Sequence, residues 1–436
     1  MSRKVYKFGG ASVKNAAAVR NLYQILMRYP NQKIILVFSA MGKTTNAIEQ
    51  LLRASRNDEV EVKASLFAML KSFHFDIAEA LFTSSEIEPL RAELNTIFNQ
   101  LDADLDKKHL DYDKHYDTTV SCGELFSTTI ISHFLYSQQL SVKTIDARQL
   151  ILTDNRFRAA NVDWEKSSAR INDEVSLNES TTLLITQGFI GATSTGETTT
   201  LGREGSDFTA AIIAYCIGAT EVTIWKDVPG LLNADPKRLA HSEKIDHISY
   251  AEAIELAYYG ATVIHPKTIK PLQNGKICLR VQSFLHPDLP PSLIDHIEEP
   301  AVTVPSFIIK DQQILMSISA RDFSFMNEHI LHRLLGVFDE TRIHINVMQT
   351  SALSLSVCFD EDKLKLKSLK HKLEAAFSMR YNSNLTLFTI RHYTRNLADK
   401  LTHHHEVLLE QRSRTTLQLV VKSLNIQLIE EAMKTP

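Results

Sequence analysis

The 436-residue chain has no apolar run approaching the roughly 18 residues that a membrane helix needs, and its opening MSRKVYKFGG carries no signal-type apolar stretch. The expectation is a cytoplasmic protein with no membrane partner. An excess of charge is missing too: 48 Lys and Arg stand against 51 Asp and Glu, a formal net charge of −3, which offers no footing for nucleic acid. Any anion must therefore be met locally. Cysteine is scarce, and Cys122, Cys216, Cys278 and Cys358 show neither a CxxC nor a metal-type spacing, so reduced thiols and no dedicated metal site are expected. GxxxxGK[ST], HRD and DFG are all absent, which removes P-loop and protein-kinase machinery.

What is present is an alternation of strand and helix. KVYKF (4–8) reads as a strand, Gly9 and Gly10 as a turn, and a helix follows from about Asn15, with Val19, Leu22, Tyr23 and Leu26 on one face. KIILVFSA (33–40) is a continuous apolar run, as expected of a strand buried on both faces of a parallel sheet. A largely helical stretch over about 45–110 precedes a helix at 121–140. Strands are then expected at TLLITQGFIG (182–191) and EVTIWKDV (221–228), with the helix FTAAIIAYCIGA between them. The pattern predicts an α/β sheet sandwiched by helices. Five of the 12 prolines fall in 286–305 and mark a domain boundary. Beyond it two short βαβ-type cycles suggest a regulatory module. HHH at 403–405 falls in an expected helix, where neighbours diverge by about 100°, so a shared metal is not expected.

Three loops carry phosphate chemistry. In KFGGAS the glycines let backbone approach phosphate oxygens, the next helix offers free amides, and Lys7 adds a compact cation. TTTLGREGSDFTAA (198–211) brings Arg203 and a helix start at Ser206 and Asp207. KDVPGLLNADPKRL (226–239) turns at the carboxyl end of a strand, the usual ligand edge of such sheets. No general-base motif is evident. An acceptor that is itself a carboxylate needs none, because it is already ionised and catalysis reduces to alignment and charge neutralisation.

KFGGAS, SAMGKTTN, SCGE, GFIG, TTTLGREGSD, WKDVPGLLNADP and ISYAEAIELAYYGATVIHPKT resemble, in order and spacing, the motifs of aspartate kinases in the amino-acid kinase superfamily. The resemblance covers residues 4 to about 285, and the remainder resembles the paired ACT domains of such kinases. It implies a carbamate-kinase-like three-layer α/β sandwich over 1–300. ACT-like, ferredoxin-like units would follow at 301–384 and 385–436, the second completed by a strand near 306–311. The implied reaction is ATP-dependent, Mg²⁺-assisted phosphorylation of the L-aspartate side chain to 4-phospho-L-aspartate. That is the first step towards lysine, threonine and methionine, under feedback through the ACT units. The alternatives are a weakened amino-acid-binding sensor and a kinase for another acidic amino acid.

The resemblance also assigns roles. Lys7, Gly9, Gly10 and Asp207 would be catalytic, with Ser12, Lys226, Asp227, Leu232, Lys237 and Thr262 around ATP. Arg203 would take the α-carboxylate and Glu124 the ammonium of aspartate, with Ser39, Thr45, Phe189 and Ser206 completing the pocket. Helix capping for Thr45, Ser206 and Asp207, a helix-dipole role for Glu124 and simple core filling for Phe189 remain alternative readings. Phe325, Met326, Asn346, Gln349 and Ser351 would line an effector site for lysine or threonine, and pairing of ACT sheets implies a homodimer. The pattern departs at Glu204, where the family usually has glycine, and at Lys226, Leu232, Lys237 and Thr262 on the nucleotide side. A carboxylate about 6 Å from a phosphate charge would cost roughly 3 kcal/mol at an effective dielectric near 20. Glu204 is thus expected to turn outward or to pair with a base such as Lys226.

Overall fold

The computed structural model describes residues 3–30, 32–261, 264–297 and 304–433. Two compact units divide it, one from Met1–Leu231, Asp246–Ile254 and Ile264–Glu299, the other from Leu232–Ile245, Glu255–Val263 and Pro300–Pro436.

The first unit is built on eight strands: β1 (Lys4–Phe8), β2 (Ile34–Phe38), β3 (Val142–Thr144), β4 (Leu183–Gln187), β5 (Glu221–Lys226), β6 (His247–Ser249), β7 (Cys278–Ser283) and β8 (Ser292–Asp295). They lie in the order β6-β8-β7-β5-β1-β2-β4-β3, parallel except for β7 with β8. Every residue of β2 is buried, because helices cover both faces of this strand and leave no room for polar alternation. Aromatic rings fasten the centre of the sheet: Phe8 stacks on Trp225 at 5.8 Å and on Phe38 at 5.6 Å.

Helix α1 (Ala16–Leu26) starts where Asn15 accepts the Ala18 N–H at 2.9 Å, and it buries Val19, Leu22, Ile25 and Leu26. The expected helical stretch resolves into α2 (Thr44–Arg56), α3 (Val60–Leu81) and α4 (Ile87–Leu105). Then come α5 (Tyr112–Val120), α6 (Cys122–Ser137), α7 (Gly205–Cys216) and α8 (Pro266–Gly275). The expected single strand at 182–191 is two, β4 and a short strand Ile190–Thr193, because the chain turns at Gly188 and Phe189. Register places Phe8 opposite both Phe38 and Trp225, and Phe38 opposite Gln187. The carboxyl ends of β1, β2, β4 and β5 therefore end level, and their loops open on one edge.

The second unit carries a six-stranded antiparallel sheet, the architecture of paired ACT-like units: β9 (Ser306–Ala320), β10 (Ile345–Thr350), β11 (Ser354–Asp360), β12 (Phe377–Arg391), β13 (Val407–Arg412) and β14 (Thr416–Val421) in the order β10-β11-β9-β12-β14-β13. Where two separate strands are expected at 306–311 and 312–320, one 15-residue strand runs through. Its first half, Ser306–Lys310, pairs with Arg391–Leu387, and its second half with 377–382. Each of β9 and β12 carries one extra residue in the left-handed conformation, Gln312 (φ 53°) and Asn384 (φ 54°), at compensating register shifts.

These bulges reverse side-chain parity. Phe307 of β9 and Phe388 and Ile390 of β12 pack with Leu397 and Leu401 of α11 (Arg395–His403; α9 is Glu328–Glu340 and α10 Lys363–Leu373) and with Ile429 of α12 (Ile426–Met433). Past the bulges, Ile314, Met316, Ile318 and Phe377 pack with Leu334 and Phe338 of α9 and Leu369 and Leu373 of α10. Leu315, Leu385 and Leu387 join a separate cluster with Val347, Cys358 and Val420. The HHH run ends α11 rather than lying inside it; His405 donates Nδ1–H to the Leu401 carbonyl at 2.7 Å and accepts the Asn425 N–H at 2.9 Å.

Candidate active site

The loops at the sheet edge enclose a cleft of about 460 Å³, lined by Ser39, Thr45, Asn46, Tyr116, Glu124, Arg158, Phe189 and the run Gly202–Ser206. The six residues expected to bind an acidic amino acid, Ser39, Thr45, Glu124, Phe189, Arg203 and Ser206, all face it. Asn46, Tyr116 and Arg158 were not expected there.

Close packing of backbone shapes this edge. A Cβ on Gly10 would stand 2.7 Å from the Ala40 carbonyl oxygen and 2.9 Å from that of Gly42, so only glycine lets the first two loops meet. A Cβ on Gly188 would fall 2.4 Å from the Cβ of Ser206. Gly9 sits beside the Lys7 amine, 3.4 Å from where its Cβ would be. Three non-glycine residues that line the cleft adopt positive φ: Arg158 (65°), Phe189 (70°) and Glu204 (53°). Bulky side chains avoid this region, and such strain concentrates where surrounding structure holds a functional geometry. Phe189 is fixed by its N–H to the Thr209 hydroxyl at 2.9 Å and by its carbonyl to the Leu201 N–H at 2.8 Å.

Glu204 neither turns outward nor pairs with Lys226. It stands just before α7 and accepts the backbone N–H of His265 at 2.8 Å, binding the 198–206 loop to the start of α8. Lys226 instead approaches Asp207 at 3.9 Å, while Lys7 holds the other Asp207 oxygen at 2.6 Å. Burial alone would raise the Asp207 carboxyl; the Lys7 and Lys226 ammoniums outweigh it and keep it below its ordinary value. The result is a lysine–aspartate–lysine cluster at the end of β1, with Lys7 and Asp207 buried and Lys226 partly exposed.

Glu124 is the reverse case. It is fully enclosed, and burial pushes it up to about 8, against the Ala40 N–H at 3.3 Å and the positive charge of Lys7. Its Oε2 is buried with no hydrogen-bond partner among the described residues. Arg203, exposed at the cleft, likewise has no hydrogen-bond or ion-pair partner among the described residues. Asp117, also unexpected, accepts the N–H groups of Arg158 (2.9 Å) and Thr200 (2.8 Å) and the Thr200 hydroxyl (2.7 Å), so α5 clasps both flanking loops. Burial raises it to about 6 despite those bonds.

Of the residues expected around ATP, Ser12 is buried and its hydroxyl donates to the Trp225 carbonyl at 3.3 Å, tying the first loop to the end of β5. Asp227, just past β5, is exposed. Leu232 and Lys237 belong to the second unit, where Lys237 is exposed and its N–H donates to Asp235 at 2.9 Å. Thr262 lies outside the described residues.

A model of the amino acid kinase family matches residues 2–283, and the lysine-sensitive aspartokinase 3 of Escherichia coli is 30% identical over 399 residues, 88% of this chain and 86% of that one. The chain belongs to the aspartokinase branch of the amino acid kinase family. An aspartokinase structure from E. coli, solved with aspartate and ADP, superimposes with a TM-score of 0.84 at 26% identity, covering 99% of this chain and 98% of that one. The aspartate kinase of Clostridium acetobutylicum shares the fold, with a TM-score of 0.78 at 21% identity, each chain covered to 99%. Chloroplastic aspartokinase 1 of Arabidopsis thaliana is 28% identical over 84% of this chain, which spans 64% of that relative's length. The match to the bifunctional aspartokinase/homoserine dehydrogenase 2 of the same plant covers only 42% of it.

The aspartokinase second unit carries the expected effector residues on and beside one edge of its sheet. Phe325 and Gln349 are exposed, the Met326 N–H donates to the Ala352 carbonyl at 2.9 Å, and the Ser351 hydroxyl meets that of Ser354 at 2.8 Å. Asn346 is buried and already committed, accepting from Lys310 Nζ (2.9 Å) and donating to Gln313 (2.8 Å) and Asp360 (3.0 Å).

Proposed function

We propose that this chain transfers the γ-phosphoryl group of ATP to the side-chain carboxylate of L-aspartate, giving 4-phospho-L-aspartate, the first step towards lysine, threonine and methionine. The observation that carries the reading is the pairing, in one cleft, of a buried Glu124 oxygen without a partner and an uncommitted Arg203 guanidinium. An ammonium satisfies the first and an α-carboxylate the second, so the cleft is a receptor for a zwitterionic amino acid.

With its α-end fixed, the substrate has its side-chain carboxylate as the nucleophile. It is ionised at neutral pH and needs no base. Lys7, oriented by Asp207, stands at the level strand ends where the transferring phosphoryl would lie, and the Gly9–Gly10 backbone gives close approach to phosphate oxygens. Lys226, Asp227 and Ser12 would serve the nucleotide. Mg²⁺, when bound, neutralises phosphate charge. The second unit would bind a lysine or threonine effector near Phe325, Met326, Gln349 and Ser351 and pair two copies into a homodimer.

Hydroxylamine trapping of acyl phosphate, with ATP, Mg²⁺ and a panel of amino acids, tests the reading. Aspartate should give the hydroxamate, and glutamate or asparagine at most a small fraction of it. Aspartate binding without any acyl phosphate would mark the chain as a sensor instead.

A further inference from the structure

Arg158 has no counterpart among the expected site residues, and its setting is costly. An arginine stands here at φ 65°, a conformation that glycine adopts freely and a bulky side chain resists. Four contacts hold it there, one of them the Tyr112 ring, 5.6 Å from the guanidinium. Its N–H is bound by Asp117 at 2.9 Å, its guanidinium lies 4.5 Å above the Tyr116 ring, and Asp113 approaches one nitrogen at 3.3 Å. Tyr116 is itself anchored, its hydroxyl donating to Glu49 at 2.6 Å.

A guanidinium stacked on a ring uses its face and keeps its in-plane N–H donors for other partners. The Asp113 contact takes only part of that capacity, and both of its side chains are about half exposed, where such pairs are weak. The segment carrying Arg158 abuts the one carrying Arg203: a Cβ on Gly202 would stand 3.1 Å from the Arg158 carbonyl oxygen. Both arginines line the cleft. Of the two carboxyl groups lining the same cleft, Glu204 is tied by the His265 N–H and Glu124 is held largely in its neutral form until an ammonium arrives.

We infer that Arg158 is a second guanidinium receptor for the substrate's α-carboxylate, shared with Arg203, and that it enforces the requirement for a free α-carboxylate. This rests on the aspartate-kinase reading. The substrate's two carboxylates and one ammonium match a cleft that offers two guanidiniums and, at Glu124, a buried carboxyl oxygen without a hydrogen-bond partner among the described residues.

Glycine is the informative replacement because it suits the backbone and keeps the N–H to Asp117, so the fold is not put at risk. Arg158→Gly should raise KM for aspartate about tenfold with kcat within twofold, and should cut discrimination against aspartic acid α-amide by a similar factor. Arg158→Lys should recover part of the KM. Calorimetric titration of aspartate into wild type and Arg158→Gly reads the same loss without turnover. An unchanged affinity and an unchanged acid-to-amide ratio in Arg158→Gly overturns the inference even if wild type makes acyl phosphate. Absence of acyl phosphate from wild type, with an affinity that still drops in the variant, condemns the kinase reading and leaves Arg158 as a receptor.

Discussion

Glu124 must lose a proton before it can receive an ammonium, and its burial holds that loss back to about pH 8. Between pH 7 and 9 the ionised fraction of such a group rises on the order of tenfold. KM for aspartate should fall by a similar factor over that range and rise again where the substrate's own ammonium loses its proton. A KM independent of pH would remove Glu124 from ammonium binding. At pH 7 binding should also release close to one proton, readable as a buffer-dependent binding enthalpy. Glu204 makes a different test possible, because two opposing terms meet in one residue. Glu204→Ala keeps a side chain at positive φ but loses the bond to the His265 N–H, and should destabilise the first unit by ~1–3 kcal/mol. Glu204→Gly loses the same bond but relieves ~1 kcal/mol or more of backbone strain. The order of thermal midpoints should be wild type at or near the glycine variant, with alanine lowest.

At the scale of elements, the cleft exists because four parallel strands end level and their loops can touch. Gly10→Ala places a carbon against two carbonyl oxygens, neither of which is the loose end of a side chain, so the loops must part. A loss of about 10²-fold in kcat/KM is expected from an ångström-scale displacement of Lys7 and Ser39 relative to each other. Steady-state kinetics beside a circular dichroism spectrum would separate this from unfolding. The contiguous parts of the site were legible in the sequence. Lys7, Gly9, Gly10, Ser206 and Asp207 lie where an apolar strand meets small residues, and β2 and α1 are set by a five-residue apolar run and an Asn cap. Tyr116, Asp117 and Arg158 carried no such sign. Tyr116 reaches the cleft because α5 packs under the 198–206 loop, and Arg158 because Asp117 beneath it holds its N–H, long-range contacts that local pattern does not encode. The fate of Glu204 was hidden for the same reason, its partner being a backbone N–H 61 residues away. The turn at Gly188 was masked by the apolar residues on either side of it.

In the second unit as a whole, two 15-residue strands are common to both halves of one sheet. Each half packs its own helices, but the two long strands and the cluster of Val347, Cys358, Leu387 and Val420 on the opposite face run through both, so both should open together. Phe307→Ala, in the cluster with Phe388, should cost ~3–5 kcal/mol and lower hydrogen-exchange protection equally in β14 and in β11. Protection lost in β14 alone would show two independent modules. The single strand was unreadable beforehand because Lys310–Gln313 looks like a polar break between two strands, whereas Gln312 only bulges. That bulge gives the sheet a reading frame. Deleting Gln312, a polar residue, would rotate Ile314, Met316 and Ile318 towards the face of Leu387 and carry Leu315 towards the helices. One missing polar residue would then do more damage than the loss of any single apolar side chain, and a second deletion, of Asn384 in the neighbouring strand, could not restore the phase of the first.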